Sequence, residues 1–167
     1  MKTGGILTGI LLFAFTSLTA QYSYSGTVSA TVIIQTSLSL SVVNNTGTSI
    51  TFANTNYDNG YTASGFNTVQ VNSNAPWILS VAAATPYFSA SGTYSSSNMP
   101  ASVIGLRTSG QTAWVQLTTS PQQLKSGPRG AASVSGNTFN LDFSATPGYA
   151  YGPGIYTLSI TYTLTSQ

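Results

Sequence analysis

No cysteine, no histidine and no glutamate occur in this sequence, and its only acids are Asp58 and Asp142. Without cysteine there is no thiol nucleophile, no thiolate metal site and no lipidated cysteine anchor. Without histidine a Ser-His-Asp triad is excluded, and a Ser-Lys dyad would have to recruit Lys125 from a stretch rich in Ser, Gly and Pro. A glycosidase needs two carboxylates across a cleft. Here the pair would be Asp58, in a polar loop, and Asp142, on the solvated face of a strand. A covalent Lys-Asn crosslink would need Lys125, an Asn and a buried acid such as Asp142. The oxygen-rich run Asn54, Asn56, Asp58 and Asn59 offers one carboxylate to a calcium ion, and the same residues are ordinary turn formers. The expectation is a protein with no enzymatic activity, no cofactor and no metal.

Charge is scarce: four Lys and Arg stand against two Asp, a net charge of +2. Binding nucleic acid requires several neutralised phosphates, and the chain has almost no cations to supply them. At the N-terminus, Met1-Lys2 precedes an apolar run from Ile6 to Phe15 and then Thr16-Ser17-Leu18-Thr19-Ala20, the order of a secretory signal peptide cleaved after Ala20. The run is short for a membrane span. Residues 1–20 are therefore read as the signal and 21–167 as one domain, exported to the extracellular space or cell surface through the periplasm. The exported part keeps Arg107, Lys125 and Arg129 against two Asp, 3 − 2 = +1.

What is present is alternation. Val28, Ala30, Val32, Ile34, Leu38, Leu40 and Val42 share one parity, with Thr, Ser and Gln on most of the other, which predicts one long strand from the start of the domain. Asn44 to Gly47 is turn chemistry, with Ile50 and Phe52 pointing inward from the next strand. Asn54 to Gly65 reads as a polar loop. Val69 and Val71 lead through Asn72-Ser73-Asn74-Ala75-Pro76 to Trp77, Leu79 and Val81, a predicted hairpin anchored in the core by Trp77. Thr85–Ala101 reads as a long loop or a pair of edge segments and Ser120–Gly130 as a loop, and Val103–Leu106 and Ala113–Leu117 flank a turn at Ser109-Gly110. Alternation returns at Phe139, Leu141 and Phe143, and again from Tyr156 to Leu164. Seven to nine short strands with no convincing helix predict an antiparallel β-sandwich of immunoglobulin-like or related topology, with a β-barrel as the rival.

Six tyrosines, Tyr57, Tyr61, Tyr87, Tyr94, Tyr149 and Tyr151, fall in predicted loops. They form either a ligand-facing aromatic platform, suited to surface glycans because stacking needs no charge, or packing over the sandwich ends.

The ending Gly152-Pro153-Gly154-Ile155-Tyr156-Thr157-Leu158-Ser159-Ile160-Thr161-Tyr162-Thr163-Leu164 resembles the closing strand of bacterial pilin-like secreted proteins of the spore-coat-U and related fimbrial families. Val71-Asn72-Ser73-Asn74-Ala75-Pro76-Trp77-Ile78-Leu79-Ser80-Val81 resembles the strand entry of carbohydrate-associated β-sandwich modules of Bacteroidetes surface proteins. The first resemblance implies a subunit of a filament or fimbria, a homopolymer built by β-strand addition. Residues 21–35 would then be a donor segment, with Tyr22, Tyr24, Val28, Ala30, Val32 and Ile34 filling pockets next door and Gly26 at a close backbone approach. The competing arrangement pairs this segment as the first strand of its own sandwich. The second resemblance implies an adhesin or carbohydrate-binding module.

Overall fold

The computed structural model describes residues 30–46 and 49–167. The expected signal peptide, residues 1–20, and Tyr22, Tyr24, Gly26 and Val28 of the expected donor segment lie outside the described residues. The chain divides into one unit ending at Ile33 and one spanning Ile34–Gln167.

The second unit is built from antiparallel strands: β1 Leu38–Asn44, β2 Tyr61–Ser73, β3 Trp77–Ala83, β4 Ser89–Ser91, β5 Ile104–Thr108, β6 Val115–Gln116, β7 Gln122–Gly127, β8 Thr138–Ala145, β9 Ile155–Thr157 and β10 Ile160–Ser166. A short helix, α1, covers Asn54–Asn59. One sheet has the order β1-β2-β8-β5-β6, a second β10-β3-β7, and a small third pairs β4 with β9. Val69, Val71 and Leu141 of the first sheet meet Trp77 and Leu79 of the second, while Ala63, Ile104, Leu106, Phe143 and Ala145 continue this core with Val81 and Ala83. This is the two-sheet packing that period-two alternation demands, since each strand buries one face.

Several local expectations are corrected. Ser73–Trp77 is not a hairpin, because β2 and β3 belong to different sheets and the Asn-Ser-Asn-Ala-Pro stretch is the corner between them. Trp77 is nonetheless fully buried. Its indole N–H donates to Asn137 Oδ1 at 3.0 Å, its ring lies 6.1 Å from Phe139 and almost parallel to it, and Gly127 leaves room for it from β7. Ser120–Gly130 is not a loop: most of it is β7, paired with β3. Its parity is masked in the sequence because Leu124 is the one large apolar residue of β7, between polar Gln123 and Lys125, and the register shifts between Leu79 and Ser80 of its partner β3.

Asn54–Asn59 turns into α1, where Asn56 Oδ1 accepts the Ala53 N–H at 2.8 Å and so satisfies a donor at the helix start. The long N-terminal strand begins only at Leu38. Residues 30–37 are outside any strand, and Ala30, Val32 and Ile34 are exposed, the last two at 80%. These three of the seven residues of the most regular alternation in the sequence are therefore exposed in this chain.

Candidate functional site

Asp142 was expected on a solvated face. It is 2% exposed, and its carboxylate takes the Arg107 Nε–H at 3.0 Å, the Gly65 N–H at 3.0 Å and the hydroxyls of Ser64 and Ser109. Arg107 in turn lies over the Trp114 ring, 4.2 Å from its centroid. Burial pushes the Asp142 carboxyl up, but the hydrogen bonds from Ser109, Gly65, Arg107 and Ser64 outweigh it, so its pKa lies below the ordinary value. A carboxylate saturated by four donors is structural, and the Lys125 ammonium is not near it but over the Phe139 ring, at 5.0 Å.

The structural task of Asp142 is visible in the register. Ala63 faces Phe143 and Asn67 faces Leu141, so Ser64, Gly65 and Phe66 together oppose the one residue Asp142. This bulge needs Gly65 at φ 63°, and two of its donors close on the carboxylate. By absorbing the extra residues it turns Phe66 inward, where its ring stacks on Phe143 at 4.6 Å.

Phe66 and Phe143 both line a cleft of about 620 Å³. Leu158 and Ile160 line it as well, as do Ile50 and Phe52 from the stretch after β1. Ile50 and Phe52 do pack on the core as expected, but not from a strand. The cleft lies where the two sheets separate, at the end far from the β2–β3 corner, beside the start of β10. That strand is the last in its sheet, so one edge of its backbone carries no partner strand among the described residues. The inward side chains Ile160, Tyr162 and Leu164 are only half-buried. Burial pushes the Tyr162 hydroxyl up to about 12, and it donates to Asn67 Oδ1 at 3.1 Å.

The six tyrosines separate into groups. Tyr57 is on α1 and Tyr61 opens β2, so neither is in a loop. Tyr61, Phe52, Tyr57 and Tyr149 form a run of ring contacts, at 6.2, 5.9 and 5.3 Å, that Phe143 joins to the core through Tyr61 at 6.5 Å. Tyr151 lines the cleft. Tyr87 sits on a β-bridge to Pro100, and Tyr94 is an exposed turn residue outside the ring run. The oxygens of the Asn54–Asn59 stretch do not converge: Asn56 caps α1, the Asn59 amide donates to Thr55 O, and Asp58 accepts from Tyr149. No protein-family model and no curated protein matches the chain.

Proposed function

We propose that the protein is a non-enzymatic, exported subunit of an extracellular filament, joined to copies of itself by β-strand addition. The carrying observation is a pair of unmet requirements. Residues 30–37 expose Val32 and Ile34 with no strand pairing, and elsewhere an apolar cleft lies beside the unpaired edge of β10. An extended segment with alternate apolar residues supplies what the cleft lacks, namely backbone hydrogen bonds to the β10 edge and side chains between the sheets.

The topology favours this reading. In an immunoglobulin-like sandwich the strand order A-B-E-D faces C-F-G. Here β1-β2-β8-β5 takes the first order, β3 and β10 take the C and F positions, and β7 adds to the far side of β3. The G position, beside β10, is the one left for an incoming strand. The pilin-like resemblance of the closing strand points the same way, because that ending is β9 and β10, the elements bordering the cleft.

Deleting residues 21–34 is the direct test. The truncated protein should stay monomeric by light scattering and electron microscopy while the parent forms filaments. A parent that remains monomeric at high concentration, with or without the segment, rejects the reading.

A further inference from the structure

We propose that the outer face of the Tyr149 ring, together with the Asp58 carboxylate at its edge, is a binding site for a neutral saccharide. Tyr149 is 72% exposed, yet it is held in place from two directions. Its ring stacks on Tyr57 at 5.3 Å with an interplanar angle of 23°, and its hydroxyl donates to Asp58 Oδ1 at 3.1 Å. Tyr57 in turn rests on Phe52, so the exposed ring is the outer end of an aromatic run rooted in the core. An aromatic ring fixed in this way loses little conformational entropy when something docks on it, which is the condition for a useful contact from a single side chain.

The chemistry selects the ligand class. A pyranose ring presents an apolar face of C–H groups and a rim of hydroxyls. The free face of Tyr149 matches the first, and the carboxylate matches the second, since it accepts one hydrogen bond from Tyr149 and has lone pairs left for hydroxyl donors. Asp58 is one of only two acids in the chain, and the other is consumed by Arg107. Its negative charge disfavours uronic or sialic acids. The near-parallel stack of Tyr57 and Tyr149 leaves one open ring face rather than the crossed faces that enclose an organic cation. Trp77, which carries the carbohydrate-module resemblance, is fully buried and contributes no part of this surface.

The site adjoins the cleft, whose lining includes Phe52 and Tyr57, but the free face of Tyr149 is not part of that lining, and the test is made on the purified protein. Cello-, chito- and manno-oligosaccharides are titrated by calorimetry and amide NMR, beside a galacturonic acid oligomer. At least one neutral series should bind at millimolar concentration or below, with shifts confined to residues 57–59 and 147–151. Tyr149→Ala should weaken it by about tenfold or more and Asp58→Asn by about threefold, while Tyr94→Ala, an equally exposed tyrosine, should change nothing. Absence of binding by every neutral series, preference for the acidic oligomer, or an affinity untouched by Tyr149→Ala overturns the proposal.

Discussion

At Asp142 the lowered pKa has a definite consequence for stability. A carboxyl whose pKa falls on folding binds fewer protons folded than unfolded, so it stabilises the fold above its unfolded pKa, ordinarily 3.8, and that stabilisation is lost as pH falls through the folded value. The wild-type denaturation midpoint should therefore hold steady from about pH 7 to pH 5 and drop below about pH 4, whereas Asp142→Asn should lack that acid step. At neutral pH the same substitution leaves Arg107 without its counter-charge and weakens the bulge, costing about 2–3 kcal/mol, less than a wholly buried pair because the Arg107 side chain is 26% exposed. Chemical denaturation across pH measures both effects. A second residue-scale expectation concerns Gly127, where an added Cβ would stand 2.2 Å from Trp77 Cζ2. Gly127→Ala should cost about 3 kcal/mol by displacing the indole from Asn137, and a midpoint unchanged within error would show that the indole has room to move.

At the scale of elements, strand parity in the sequence marks most of the core. Val69, Val71, Trp77, Leu79, Val81, Leu141 and Phe143 are inward-facing as their spacing requires. Pairing was less legible. A Pro-containing turn between two strands has the same local chemistry whether it closes a hairpin or crosses between sheets, and only long-range packing of β8 against β2 decides it. The bulge was invisible for a related reason: Ser64-Gly65 reads as loop chemistry until the carboxylate that holds it is in place. The cleft is made by residues scattered from Ser49 to Ile160, so no local motif encodes it, although the exposed alternation at 30–34 was a signal available in the sequence. That alternation carries its own prediction. Val32→Asp with Ile34→Asp should leave the thermal midpoint of the monomer unchanged, within about 0.5 kcal/mol, because both side chains are already exposed, yet abolish assembly. Size-exclusion chromatography and thermal melts of the double variant separate the two outcomes.

For the whole molecule, the positions of the two ends determine what kind of assembly the proposed strand addition would produce. Leu38 pairs with Ser73, and Ser166 pairs with Trp77, so β1 begins and β10 ends at the β2–β3 corner. There Asn74 holds the chain ahead of β1: its Oδ1 accepts the Ser37 N–H at 2.8 Å and its amide donates to Gln35 O at 2.6 Å. Ile34 lies beside Asn72, Arg129 and Gly130, in a shallow depression away from the cleft. The cleft opens at the other end, beyond a β1 about 23 Å long. A segment leaving one end of a subunit and received near the other makes a heterologous contact, which propagates rather than closing on itself as a symmetric dimer would. Two variants test this together: one lacking a usable donor segment (Val32→Asp with Ile34→Asp), the other with an obstructed cleft (Leu158→Asp). Each alone should remain monomeric. Mixed, they should form heterodimers and stop there, because the complex presents no further working donor and no further open cleft. Wild-type protein that halts at dimers would show that the strands are exchanged reciprocally and that the polarity argued from Asn74 and the β2–β3 corner is wrong, and larger species from the mixture would show that a contact other than strand addition joins the subunits.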